Sequence, residues 1–287
     1  HNPLVNAMCV GVIQHDRIAR AAASGVGNAV LLVGASTGRD GIHGATFASV
    51  EDPHSRERSA VQVGDPFMEK LLLEACLELL AGDLVVGLQD LGAAGLTSSS
   101  AEMASRAGSG IDIDVALVPR RETDMTPYEV MLSESQERML VVVRRGREDE
   151  ARAIFGRWEL DAVVIGHVTA SGLLRVFDGE TLCGALPVAA LVDEAPVYDR
   201  PAERPASLDD PALMAADALP ASVDLAGDLL ALLARPELAS KAWVYRQYDS
   251  MVGAATVMRP DADAAVVALG DLRRGVAVTS DSNARFV

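Results

Sequence analysis

Apolar residues along the chain fall into short unbroken runs that alternate with stretches of helical spacing, the pattern of strands and helices following one another. Gly27 to Gly34 (GNAVLLVG) is an apolar run bounded by glycines and predicts a buried strand, with a glycine-rich loop after it. Asp65-Pro66 supplies an N-cap and a first-turn proline, and Phe67, Leu71, Leu72, Ala75, Cys76, Leu79 and Leu80 recur at helical spacing until Gly82, which predicts an amphipathic helix. Asp83 to Gln89 (DLVVGLQ) reads as a second strand, and Ser99-x-x-Glu102 as a capping box opening a short helix that Gly108 ends. Ile111, Ile113 and Val115 alternate with Asp112 and Asp114, the spacing of a half-exposed strand. Thr126-Pro127 starts another short helix, Arg138 to Val143 (RMLVVV) returns as a strand, Arg147 to Arg157 is helical, and Asp161 to Val168 and Leu173 to Phe177 are two closing strands.

The pattern changes between Pro196 and Pro205 (PVYDRPAERP), where a domain boundary is expected. Beyond it, residues 205 to 236 are rich in Ala, Asp and Leu with room for a helix, and a new module begins at Ser240 with strands at Ala264 to Leu269 and Val276 to Thr279. The chain lacks an initiator methionine and its last residues stop within a strand and loop, so both ends read as cut.

Charge narrows the partners. The formal charge of -16 repels nucleic-acid phosphates and anionic lipid, so neither nucleic acid nor membrane is an expected partner. It does not exclude an anionic metabolite, because backbone N–H groups and a divalent metal supply local positive potential. Cys9, Cys76 and Cys183 are odd in number and widely spaced, which fits a reducing cytoplasm better than a disulfide framework.

Three clusters carry candidate chemistry. The first, Gly34-Ala-Ser-Thr-Gly38-Arg-Asp-Gly41-Ile-His-Gly44, places four glycines after a buried strand, where backbone N–H groups can close on an anion; it matches neither a Walker loop nor the dinucleotide pattern. A tight connection explains it equally well, and Arg39 and His43 tilt the reading towards a phosphate or amide ligand. In the second, Gln89-Asp90-Leu-Gly92-Ala-Ala-Gly95, a carboxylate stands at the carboxyl end of a strand, where ligands of open sheets collect, and Asp90 there is either a Mg2+ ligand or a helix or turn cap. The third, Ser133-Glu134-Ser135-Gln136-Glu137, is a polar run at an element junction, suited either to a polar ligand or to a solvated turn.

Together with VQVGDPFMEK (Val61 to Lys70), GLQDLGAAGLTSSSAEMASRAGSGIDID (Gly87 to Asp114) and TPYEVMLSESQERML (Thr126 to Leu140), these clusters closely resemble one family. It is the synthetase subunit of phosphoribosylformylglycinamidine synthase, of the small multi-subunit type, within the aminoimidazole ribonucleotide synthetase-like superfamily. The resemblance extends to Trp243-Val-Tyr-Arg-Gln-Tyr-Asp249 and Thr279-Ser-Asp281. It implies an α+β fold, a mixed sheet with packed helices, built from paired amino- and carboxyl-terminal-type domains. Residues 1 to 22 would then be the tail of a first amino-terminal-type domain, 23 to 195 its carboxyl-terminal-type partner, 196 to 235 a linker, and 236 to 287 the start of a second amino-terminal-type domain.

The resemblance also implies a ligase that uses ATP and Mg2+ to convert formylglycinamide ribonucleotide to the amidine through an iminophosphate. Ammonia would come from glutamine through a separate glutaminase subunit, with a small accessory subunit as a further partner. Gln62, Glu134, Ser135 and Gln136 are implied to contact substrate and Asp90 to hold Mg2+; Arg39 and His43 are added from the residues alone. The family's catalytic histidine has no counterpart here, since His15, His54 and His167 lie outside the matching motif, so this stretch alone is expected to be inactive. Two other readings stay open at this point: another ATP-dependent member of the superfamily, and a non-catalytic ligand-binding or dimerisation module.

Overall fold

The computed structural model describes residues 8–42, 62–205, 209, 221–259, 262–270 and 273–281. Gly11–Asp199 form one compact unit, and the described residues before Gly11 and from Arg200 on belong to a second.

In the first unit, seven strands form one sheet: β1 (Ala29–Gly34), β2 (Val85–Asp90), β3 (Gly110–Asp114), β4 (Arg138–Val143), β5 (Asp161–Thr169), β6 (Leu173–Asp178) and β7 (Thr181–Pro187), in the order β2-β4-β1-β5-β3-β6-β7. Neighbours run antiparallel except β3 and β6, which are parallel. Between the strands lie α1 (Pro66–Ala81), α2 (Gly95–Ala107), α3 (Pro127–Leu132), α4 (Glu148–Arg157) and the short α5 (Val188–Leu191). Strand β1 is buried along its whole length. Successive side chains of a strand point to opposite faces, so Ala29, Leu31 and Val33 pack with Leu72, Ala75 and Leu79 of α1 and Phe155 of α4. Val30 and Leu32 pack on the other face with Leu96 and Met103 of α2 and Val130 of α3. A strand covered on both sides has no polar positions, which is why AVLLVG reads as an unbroken run. The fold class is α+β, as expected.

Helix α1 forms where its signals stand. Asp65 accepts hydrogen bonds from the Phe67 and Met68 N–H groups at 3.0 and 3.1 Å, Pro66 sits in the first turn, and Gly82 ends the helix. The buried stripe is Leu72, Ala75, Cys76 and Leu79, whereas Phe67 at the head of the expected stripe is 72% exposed. Thr126 and Glu129 complete a reciprocal capping box at the start of α3, satisfying donors that the first helical turn otherwise leaves open.

Two expectations need correction, and one strand is unforeseen. Helix α2 starts at Gly95, not at Ser99: its N-cap Ala94 is left-handed (φ 59), and the Ser99 hydroxyl bonds back to the Gly95 carbonyl at 3.0 Å within the helix. Strand β3 is not half-exposed, because Asp112 is buried and forms a two-pronged pair with Arg175 of the parallel neighbour, at 2.7 and 2.5 Å. Strand β7 has no expectation to match it; its sequence, TLCGALP, alternates too weakly to stand out.

The second unit contains α6 (Leu225–Leu233), capped by Asp224, the short α7 (Ala242–Tyr245), and a three-stranded antiparallel sheet of β8 (Thr256–Met258), β9 (Ala265–Ala268) and β10 (Gly275–Val278). Among the described residues of the whole chain, no helix is long and apolar enough to cross a membrane.

Candidate functional site

The turn between α3 and β4 is the centre of the site. Ser133, Glu134 and Ser135 are 0%, 6% and 1% exposed, which rules out the solvated-turn reading of this polar run. Burial on that scale requires hydrogen-bond partners, and the glycine-rich loop after β1 supplies them. The Ser133 hydroxyl donates to the Gly38 carbonyl at 2.6 Å, the Gly38 N–H donates to the Ser135 hydroxyl at 2.9 Å, and the Glu134 N–H donates to the Asp40 carbonyl at 2.8 Å. Gly34 (φ 101) lies so close to the turn that a Cβ there would come within 2.1 Å of the Glu137 carbonyl oxygen, so only glycine fits.

Glu134 ties a third and a fourth segment to this pair. One carboxylate oxygen accepts from the Ala94 N–H at 3.2 Å, and the other accepts from the Gln62 amide. That contact explains why α2 opens at the left-handed Ala94 without a side-chain cap of its own: its first donor is met by Glu134, 40 residues away. Gln136 donates to the Glu134 carbonyl at 2.9 Å.

Beneath the turn lies Arg138, 3% exposed, the first residue of the strand run RMLVVV. Its guanidinium donates to the Ser135 carbonyl at 2.8 Å, to the Ser133 carbonyl at 2.6 Å and to the Thr37 hydroxyl at 2.9 Å. Burial pulls its pKa down to about 10, against the opposing pull of Asp40, so the group is a cation at neutral pH. The legible signal was a charge heading the run RMLVVV: an arginine starting a strand buried on both faces must find acceptors.

A cleft of about 740 Å3 opens beside this turn. Gln136, Glu137, Arg138 and Asp90 line one part of it, and Asp65, Glu69, Leu73 and Cys76 of the α1 side line another. Asp90 is exposed at the end of β2, and its carboxylate has no hydrogen-bond partner among the described residues. It does not cap α2, so the turn-cap reading falls. Gln89, one residue earlier, faces away and bonds with Glu102 and Arg106 of α2. Burial raises the Cys76 thiol to about 11, so this cleft residue is a neutral thiol.

The structure therefore brings Gln62, Glu134, Ser135 and Gln136 into one network and puts Gln136 and Asp90 on the same cleft. Arg39 is placed differently. Its guanidinium is bound to Glu129 at 2.7 Å, to Glu122 at 3.1 Å, and to the carbonyls of Thr123 and Asp124 at 3.2 and 2.8 Å. This fastens the glycine-rich loop to the segment before α3. The hydrogen bonds from Arg39 and from Thr126 hold the Glu129 carboxyl down at about 2. His43 lies outside the described residues.

Mg2+ uses one or two carboxylates and completes its shell with water and phosphate oxygens. Among the described residues there is no group of three or more His, Cys, Asp or Glu able to cage an ion. Asp90 fits the role of a single protein ligand to an ion that arrives with a phosphorylated compound.

An α+β sheet whose glycine-rich loop and buried polar turn meet at one end defines the class. Residues 25–179 match the model of the family described as AIR synthase related protein, C-terminal domain, and the chain belongs to that family. Over 287 residues it is 57% identical to the phosphoribosylformylglycinamidine synthase subunit PurL of Moorella thermoacetica, covering 99% of this chain and 39% of that relative. It is also similar to solved structures of Thermotoga maritima PurL. The one complexed with FGAR matches with TM-score 0.69 at 34% identity, covering 90% of this chain and 39% of the other. The one complexed with ATP matches with TM-score 0.64 at 31% identity, covering 90% and 37%. The chain thus spans well under half the length of the relatives it matches.

Proposed function

We propose that this chain is part of an ATP-dependent synthetase that converts formylglycinamide ribonucleotide to the corresponding amidine in purine biosynthesis, a carbon–nitrogen ligase working in the cytoplasm. The observation that carries the reading is the 57% identity to PurL over 99% of this chain. The site is consistent with it. Gln136 stands on the cleft wall, and Gln62 donates its amide to the Glu134 carboxylate in the same network. Glu134, buried, accepts from both amides, from Gln62 on its carboxylate and from Gln136 on its carbonyl, while Ser135, also buried, ties the turn to Gly38. Arg39, with its donors engaged by the protein, acts on the loop and not on the ligand.

Asp90 would hold Mg2+, which when bound stabilises charge developing on phosphoryl oxygens. The ammonia would come from glutamine through a glutaminase subunit, with a small accessory subunit completing the assembly. Phosphoryl transfer needs nucleotide, metal and acceptor positioned together, an effect of roughly 7–11 kcal/mol. Residues 1–287 span 39% of the relative's length, and on their own they are proposed to lack synthetase activity.

The test is amidine formation by the full-length protein carrying this chain, given formylglycinamide ribonucleotide, ATP, Mg2+ and ammonia. Absence of product from folded protein would refute the reading.

A further inference from the structure

Arg138 is the most deeply buried cation among the described residues of the site, and the acceptors it reaches there are uncharged. Its three hydrogen bonds reach the Ser133 and Ser135 carbonyls and the Thr37 hydroxyl. Those acceptors belong to two segments far apart in sequence, the turn before β4 and the loop after β1. Among the described residues no carboxylate bonds it directly; the Asp40 charge reaches it across Ser135, whose hydroxyl donates to Asp40. A buried charge held mainly by uncharged acceptors is costly for stability, so the geometry of those acceptors is what the residue is placed to secure. A planar guanidinium, with donors fixed in a fork, can hold three acceptors at set angles, and an ammonium on a flexible stem cannot.

We infer that Arg138 is a positioning residue: it fixes the Ser133–Gln136 turn against the glycine-rich loop and thereby sets where Gln136 stands on the cleft wall. The inference rests on the proposed function for its kinetic consequence but not for its structural one. With Ser133 and Ser135 pinned through their carbonyls, their hydroxyls are left to bond Gly38, and Glu134 N–H is aimed at Asp40. Loss of the fork would free the turn without removing any group proposed to touch substrate.

Two readouts on the full-length protein test this, using Arg138→Lys and Arg138→Met. Hydrogen exchange at the Gly38 and Glu134 amides reads the turn directly and needs no ligand. Steady-state kinetics read its effect: KM for formylglycinamide ribonucleotide is expected to rise by about tenfold or more, on the scale of one lost hydrogen bond, while KM for ATP is kept. Arg138→Lys is expected to recover only part of the protection. If both variants lower the melting temperature but leave exchange and KM at wild-type values, Arg138 is only a fold residue and the inference is overturned. A raised KM with unchanged exchange also overturns it, since the effect would not pass through the turn. Should both variants fail to fold, Thr37→Val removes a single acceptor and is read by the same two measurements. If the wild type does not turn over the ribonucleotide, the proposed function fails, and exchange alone decides the positioning role.

Discussion

The two polar segments at this end of the sheet are built in opposite ways. Asp90 is exposed, partnerless among the described residues and open to the cleft, whereas Ser133, Glu134 and Ser135 are buried and bonded to the loop after β1, to Ala94 and to Arg138. A group left free at low cost at the surface is available to bind something. A group buried with its partners complete is available to hold something else still. The lesson is that a polar motif can be split between these tasks: within one turn, Glu134 and Ser135 hold, and Gln136 faces the cleft.

The most severe way to break this contrast is at the contact between loop and turn. Gly34→Ala would put a Cβ 2.1 Å from the Glu137 carbonyl oxygen at φ 101, and the resulting strain should cost about 3 kcal/mol or more, read as a lower denaturation midpoint. Next comes Asp90→Asn, expected to lower turnover of the full-length protein by roughly 100-fold while leaving the melting temperature unchanged, because the exposed carboxylate proposed to hold Mg2+ would contribute charge and not packing; wild-type turnover at saturating Mg2+ would remove Asp90 from the site. Gln136→Ala should weaken ribonucleotide binding by about 1 kcal/mol in a calorimetric titration, the scale of one hydrogen bond. An unchanged affinity would move Gln136 to the holding side of the comparison.

The smallest effect expected is one of pH. Glu129 falls from 4.5 to about 2 through the Arg39 and Thr126 hydrogen bonds. A depressed carboxyl contributes stability that is fully present above its unfolded pKa and lost as pH falls through the folded one. The Arg39 clasp should therefore hold at neutral pH and weaken between pH 4.5 and about 2. Carboxyl-carbon NMR of Glu129 checks this, and a midpoint near 4.5 would show the clasp to be loose.

Local signals made much of the fold legible. Asp65-Pro66 and Gly82 bracket α1, Thr126 with Glu129 opens α3, and the unbroken AVLLVG announces a strand covered twice. What stayed hidden depends on distant partners. Ser99 looks like a cap because Glu134, which meets the N–H of Ala94, is far away in sequence. Asp112 looks exposed because Arg175 comes from a later strand. At the site, the residues proposed to meet ligand can be named from motif wording, whereas for Arg138 the sequence shows only that a charge heading a buried strand must find acceptors, and the fold alone assembles them.

The strand order has a consequence for how the protein is made. β1 emerges before both of its neighbours, β4 and β5, which begin at Arg138 and Asp161. At the usual rate of about 5–20 residues per second, a nascent chain waits roughly 5–20 seconds before β4 exists to pair with it. Throughout that interval the ribosome presents AVLLVG, an uncharged, β-prone run of the kind that associates with copies of itself. The segment with the most complete cover in the finished molecule is the one that stands longest without it during translation, so yield in cells should depend on chaperone capacity more steeply than the stability of the folded unit would indicate.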